Sequence, residues 1–226
     1  MFQGEWIPAS VEQAEPSKLK VYPQYEDTDR VVVDNFEGSH PVDSWKTSTI
    51  NATVSDDGTL PVAPNENQLN QLETNSPHET GGLWLRWDNT SDKLRFDVPA
   101  ASKNVKAYKA LSFRITQKVG SGENPANGPQ DLYVKLEDNG GKKRSIKVSK
   151  FAEIPPPHPR DPFVYGSTTY YLTKSAMRTV RIPLHVFEIE VLGTQRVDLT
   201  DVKSVTFEFM AIAKGEVEID SVEFTK

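Results

Sequence analysis

The alternating stretch at residues 216–224 constrains the fold more than any other part of the chain. Its sequence is E-V-E-I-D-S-V-E-F, and acidic and apolar side chains alternate strictly over its first four residues. A period of two is that of a strand with one buried face, so the stretch predicts a β-strand. The alternation slips at Asp220 and Ser221, which predicts a bulge or a twist at that point.

A partner for this strand is predicted at the other end of the chain, at residues 31–36 with the sequence V-V-V-D-N-F. We expect the two strands to lie side by side and to close a β-sandwich, with Phe36 and Phe224 in a shared interior. The same arrangement would bring the carboxylates of Glu37 and Asp220 near one site.

Turn residues between alternating segments predict three hairpins. Residues 83–87 and 93–98 flank a polar turn and are expected to pair with each other. Asn139-Gly140 favours the positive φ of a tight turn, so the strands on either side of it are expected to form a second hairpin. Residues 202–210 and 216–224 are expected to form the last one. Further strands are expected at residues 110–116 and 178–184, with a weak strand at 51–54 and one helical turn within 99–109.

About ten short strands without a βαβ rhythm predict an all-β fold, a two-sheet antiparallel β-sandwich. We expect the sandwich to span residues 31–226. Residues 1–30 are polar and interrupted by prolines, which favours a linker or an arm that docks on the domain.

Composition excludes several classes of function. The formal net charge is −6, which disfavours a general attraction to nucleic acid or to an anionic membrane. The chain has no cysteine, so disulfides, thiolate metal sites and cysteine nucleophiles are excluded. No apolar run is long enough for a membrane span, and the first residues lack the features of a signal peptide. We expect a chain cut from a longer protein, with any secretion signal outside it.

The terminal segments V-V-D-N-F-E-G and V-E-I-D-S-V-E-F resemble the terminal strands of jelly-roll carbohydrate-binding modules and galactose-binding-like domains. The middle segments Y-K-A-L-S-F-R-I and D-L-Y-V-K-L-E-D-N-G-G are similar to the same family. From residue 96 to residue 224 the chain also resembles the β-domain appended to some secreted bacterial α/β-hydrolases. The resemblance covers residues 31–226 and implies an extracellular, non-catalytic accessory module that tethers a covalently linked hydrolase to a polysaccharide or glycan.

The resemblance also implies a structural calcium ion between the first and last strands. The ligands carried over are the carboxylates of Glu37 and Asp220 and the backbone carbonyl of Asn35, with Asp34 as a substitute if the register differs. These are hard oxygen ligands of the kind calcium takes. The alternative is that Glu37 and Asp220 are strand-end acids paired with a lysine or an arginine.

Sugar-binding modules combine aromatic rings with a few fixed polar groups. The candidates at outward strand positions are Trp84, Arg86, Arg114, Tyr133 and Lys135. The alternative is that the tryptophans fill the core or its edges and the charged side chains are merely solvated. Trp84 and Trp87 are three residues apart and face opposite sides of a strand, and we expect Trp87, in phase with Leu83 and Leu85, to be the inner one.

The sequence offers little support for an enzyme. It lacks the G-x-S-x-G motif of a hydrolase nucleophile, and its four histidines form no metal-binding pattern. Two alternatives to sugar binding stay open. One is a structural domain that packs on a catalytic partner, and the other is a glycan-active enzyme with paired carboxylates.

Overall fold

The computed structural model describes residues 29–34, 36, 51–55, 82–159, 163–165, 168–170, 173–174, 177–190 and 196–226. Within these ranges one short helix, α1, spans His185–Glu188, and single 3-10 turns lie at Ala100–Ser102 and Val148–Lys150. The remaining regular structure is β-strand. The strands are β1 (Arg30–Asp34), β2 (Asn51–Ser55), β3 (Gly82–Trp87), β4 (Lys93–Asp97), β5 (Ala110–Gln117), β6 (Tyr133–Asp138), β7 (Lys143–Lys147), β8 (His158–Pro159), β9 (Phe163–Tyr165), β10 (Thr168–Tyr170), β11 (Thr173–Lys174), β12 (Arg178–Pro183), β13 (Val202–Glu208) and β14 (Gly215–Thr225).

The strands form two main antiparallel sheets, which we call the first and the second sheet. The first has the order β12-β5-β14-β3-β2, and β1 also pairs with β14. The second has the order β4-β13-β6-β7, and two short ribbons are formed by β9 with β10 and by β8 with β11. Apolar side chains from both sheets share one buried cluster. The predicted β-sandwich of jelly-roll type is therefore confirmed.

The two ends of the sandwich meet as predicted. β1 pairs antiparallel with the C-terminal half of β14, so that Val31 lies opposite Phe224 and Val32 lies opposite Glu223. Phe36, just after β1, and Phe224 both belong to the buried core and are 1% and 0% exposed. The prediction that these strands close the fold is confirmed.

The predicted irregularity in β14 is a β-bulge. Asp220 pairs with Arg114 of β5 and Glu223 pairs with Ser112, so β14 has one more residue than β5 between these two pairs. Ser221 has a φ of 52°, in the left-handed region that few residues adopt. The extra residue lets Val222 and Phe224 point into the core although they are out of phase with Val217 and Ile219.

Two of the three predicted hairpins are wrong. β3 lies in the first sheet and β4 in the second, and β13 and β14 are divided between the second sheet and the first. Each of these turns carries the chain across the core from one sheet to the other, so the strands it joins do not pair. The third prediction is confirmed, because β6 and β7 pair across the turn that contains Asn139 and Gly140.

Aromatic rings fill the space between the sheets. Phe96 makes edge-to-face contacts with Phe36 and with Phe207, at centroid distances of 5.8 and 5.9 Å. Trp87 stacks on Phe209 at 4.4 Å, and its Nε1 donates a hydrogen bond to the carbonyl of Ile212 at 2.9 Å. Trp87 is thus the inner tryptophan of β3, as predicted. Its hydrogen bond to Ile212 fixes the segment between β13 and β14 against the core.

No helix in the described ranges has the length and apolar character that a membrane crossing requires.

Candidate functional site

The outward side chains of β14 form a row of acids along the middle of the first sheet. Glu216, Glu218, Asp220 and Glu223 lie on the face opposite the core, between the outward residues of β5 on one side and those of β3 and β1 on the other. We call this surface the outer face of the first sheet.

Three of the four acids are neutralised by a cation from a neighbouring segment. The Lys118 ammonium contacts the Glu216 carboxylate. Arg114 Nη1 lies 2.9 Å from Asp220 Oδ2, and the Asp220 side chain is 2% exposed. At the far end Arg30 Nη1 lies 3.1 Å from Glu223 Oε2. Opposite charges on adjacent strands stabilise such pairs.

Glu218 is the exception in this row. It lies directly between Trp84 of β3 and Thr116 of β5, and its carboxyl makes no hydrogen bond or ion pair with any described residue. Burial, together with the neighbouring Asp220 and against the opposing effect of Arg114, raises the pKa of Glu218 from its ordinary value of 4.5 to about 7. The main cause is the loss of hydration, which Arg114 offsets only in part.

Trp84 faces Glu218 across the strand pair. The side chain lies on the outer face but is only 8% exposed, and its Nε1 has no hydrogen-bond partner among the described residues. Lys118 Nζ lies 5.5 Å from the centre of the indole ring, within the range of a cation–π contact. The ring is therefore not an open stacking platform. Instead, the buried N–H donor of Trp84 lies opposite the carboxyl of Glu218, which has no hydrogen-bond partner among the described residues.

The loop after β5 forms one rim of this site. The carboxamide of Asn124 pairs with the backbone of Glu216, accepting from its N–H and donating to its carbonyl, both at 2.8 Å. Glu123, beside it, contacts the guanidinium of Arg86 and lies 3.8 Å from Lys214 Nζ. The Asn124 side chain thus continues the hydrogen bonding along β14 beyond the end of β5. It also holds the loop against β14.

The five predicted ligand-binding residues fall into two groups on opposite sides of the sandwich. Trp84, Arg86 and Arg114 lie on the outer face of the first sheet. Tyr133 and Lys135 lie on the outer face of the second sheet. One ligand on a flat outer face cannot contact both groups, and the role of each residue in binding stays a prediction.

The group on the second sheet is tied into an ionic network. Lys135 Nζ lies 2.6 Å from Glu208 Oε1, and the other carboxylate oxygen of Glu208 accepts a hydrogen bond from Ser145 at 2.6 Å. Tyr133 lies between Glu208 of β13 and Lys147 of β7 in the register of the sheet. A ligand that binds Lys135 or Glu208 would therefore have to separate this ion pair.

Of the three predicted calcium ligands, Glu37 and Asn35 lie outside the described residues. The third, Asp220, has both carboxylate oxygens engaged, one by Arg114 and the other by the hydroxyl of Ser221 at 2.9 Å. The substitute ligand Asp34 accepts a hydrogen bond from the N–H of Phe36 at 2.8 Å. The described ranges contain no group of three or more histidine, aspartate or glutamate side chains that would hold a metal ion. A calcium ion would have to compete with Arg114 for Asp220, and the calcium site stays a prediction.

Sequence reasoning missed Glu218, Thr116 and Lys118 as members of the site. The alternation marks Glu218 as outward but does not distinguish it from Glu216 or Asp220. The distinguishing facts are its register opposite Trp84 and the lack of an ion-pair partner within the described ranges, and both depend on which strands are neighbours.

No protein-family model and no curated protein sequence matches this chain. Among solved structures the chain is similar to a family 11 carbohydrate-binding module from Clostridium thermocellum, solved in complex with a β-1,3-1,4-mixed-linked tetrasaccharide. That match has a TM-score of 0.48 at 14% identity and covers 87% of this chain and 95% of that one. A family 30 carbohydrate-binding module from a cellulase of the same organism matches with a TM-score of 0.48 at 14% identity, over 87% of this chain and 92% of that one.

An exo-β-agarase matches with a TM-score of 0.50 at 13% identity. The match covers 87% of this chain but only 25% of the agarase, so the chain spans about a quarter of that protein's length. At 13% identity, the match to the agarase shows a shared fold over that quarter of its length and nothing beyond the fold.

Proposed function

We propose that this chain is a non-catalytic carbohydrate-binding module that holds a polysaccharide against the outer face of the first sheet, at Trp84 and Glu218. The observation that supports the proposal best is a buried indole N–H without a hydrogen-bond partner, directly across the strand pair from a carboxyl that has no partner among the described residues. A sugar ring presents neighbouring hydroxyls, each of which is both donor and acceptor, so it can satisfy the two groups if binding uncovers the buried indole N–H.

The energetics favour a ligand at this place. A buried polar group without a partner costs about 1–3 kcal/mol, and that cost is recovered when a ligand supplies the missing hydrogen bond. Thr116 and Arg114 lie next to the pair in the sheet as further polar side chains on the β5 side, and the Arg114 side chain is 17% exposed. An apolar ring with a few convergent polar groups is the usual composition of a small-molecule site.

The charge pairing on this face supports binding rather than hydrolysis. Glycoside hydrolysis uses two carboxyl groups that flank the scissile bond. Near Trp84, the carboxylates of Glu216 and Asp220 are held by Lys118 and Arg114, which leaves Glu218 as the acid with no paired cation in the part of the chain that the structure describes. A lone carboxyl can accept a hydrogen bond from a sugar but cannot supply both catalytic roles.

The biological role that we propose is tethering. A module that binds a polymer raises the effective concentration of a linked catalytic domain at its surface without adding chemistry of its own. We propose a secreted hydrolase as the linked domain. The alternative role, packing on a catalytic neighbour without sugar binding, predicts no retention on any polymer.

The test is retention of the protein on a panel of insoluble polysaccharides, followed by two matched variants. Trp84→Phe keeps an aromatic ring and removes the N–H donor, so it should weaken retention several-fold. Tyr133→Phe removes one hydroxyl from the opposite face and should leave retention unchanged. Loss of retention in Tyr133→Phe alone would place the ligand on the second sheet, and no retention of the wild type would refute sugar binding.

A further inference from the structure

We infer that Glu218 makes this site selective for uncharged saccharides and that it rejects polymers bearing uronate or sulfate groups. The inference rests on the proposed function, because it concerns the ligand of the same site. It assigns to Glu218 a role in specificity.

The charges around Glu218 are arranged against an anionic ligand. The two cations that flank it, Arg114 and Lys118, are already paired with Asp220 and Glu216. An incoming carboxylate or sulfate would therefore have to break an existing ion pair to gain a partner. A neutral hydroxyl has no such requirement, because it can donate to Glu218 directly.

The position of Glu218 also makes an added negative charge unfavourable. Its carboxyl is poorly hydrated, lies next to Asp220 on the same strand, and has no cation of its own among the described residues. Repulsion between like charges is stronger where water is excluded. Like charges brought together in a binding site are a common means of rejecting the wrong ligand.

The test uses one polymer in two forms. A neutral polysaccharide that the wild-type protein retains is oxidised at its primary hydroxyls to carboxylates, which leaves the backbone unchanged. Affinity electrophoresis at pH 8 then compares the two forms. We expect the wild type to bind the oxidised form about tenfold more weakly than the neutral form.

Two variants distinguish the role of Glu218 from a general effect of net charge. Glu218→Gln has the same shape without the charge, and it should bind the oxidised polymer nearly as well as the neutral one. Glu137→Gln removes one negative charge from the outer face of the second sheet, where Glu137 pairs with Lys203 at 3.3 Å. This control should keep the wild-type discrimination.

Each outcome bears on one proposal. Equal binding of both forms by the wild type would overturn the selectivity while leaving sugar binding intact. Discrimination that persists in Glu218→Gln would assign the selectivity to another residue and would also overturn the inference. Failure to retain any neutral polymer would instead refute the proposed function, and the selectivity would fall with it.

Discussion

Arg114 and Asp220 are 106 residues apart in the chain and are joined by a 2.9 Å ion pair between neighbouring strands. Asp220 is 2% exposed, while the Arg114 side chain is 17% exposed. The pair lies at the point where the bulge of β14 begins. The ion pair therefore lies both beside the bulge of β14 and on the outer face of the first sheet, where we place the ligand.

Replacing Arg114 by leucine should destabilise the fold by about 3 kcal/mol, because it leaves the buried carboxylate of Asp220 without its counter-ion. Urea unfolding of the purified variant measures the loss. The double variant Arg114→Leu/Asp220→Leu removes both charges and should be closer to wild type than the single variant. A single variant as stable as the wild type would show that the pair contributes little.

Gly215 is required at the start of β14. A Cβ atom there would collide with the indole ring of Trp87 and the side-chain amide of Gln130, both of which are buried. We expect Gly215→Ala to cost about 2–3 kcal/mol in unfolding experiments, since overpacking a dense core forces side chains out of place. Gly122→Ala is the matched control, because a Cβ at that position meets no atom within 4 Å. Equal effects of the two substitutions would contradict the packing argument.

The titration of Glu218 should make stability depend on pH. Its pKa is about 7 in the folded protein and 4.5 in its ordinary, solvated state, so the folded state binds the proton more tightly. The resulting stabilisation is fully present below pH 4.5 and is lost as the pH rises through 7. The free energy of unfolding should fall by at most about 3 kcal/mol over that window.

Glu218→Gln removes this titration and should flatten the dependence between pH 4.5 and 7. Denaturant unfolding of both proteins at several pH values gives the difference curve, in which other titrating groups cancel. At pH 8 the variant should be the more stable protein. Parallel curves for the two proteins would show that Glu218 is hydrated like an ordinary glutamate.

The predicted calcium site can be tested without knowledge of its full ligand set. An ion bound only by the folded state raises the melting temperature, so chelation should lower it if Glu37, Asp220 and Asn35 hold calcium. Differential scanning calorimetry with EDTA and with added calcium measures the shift. An unchanged melting temperature would exclude a structural calcium and leave Arg114 as the counter-ion of Asp220.

The alternation of apolar and polar residues along each strand correctly predicted which side chains face the core. The slip of phase at Asp220 and Ser221 predicted the bulge, and the spacing of Trp84 and Trp87 predicted which ring is buried in the core. The pairing of the two terminal strands was also predicted from their sequences, and it is confirmed. These features concern which face of a strand a residue occupies.

The features that were missed depend on which strands are neighbours. Turn residues 88–92 and 213–215 were expected to reverse the chain within one sheet, but in the structure they carry it to the other sheet. For the same reason Tyr133 and Lys135 were grouped with Trp84 although they lie on the far side of the core. Alternation gives the orientation of each strand but not its position in the fold.

β14 is bordered along one edge by two strands placed end to end, β3 over its first half and β1 over its second. A chain shortened past Asp34 would uncover the main-chain donors and acceptors of residues 222–225 on that edge. Such a half-open edge can recruit a strand from another molecule. Truncations intended to isolate the sandwich should therefore keep Arg30–Asp34, because without β1 the uncovered edge of β14 is prone to strand exchange.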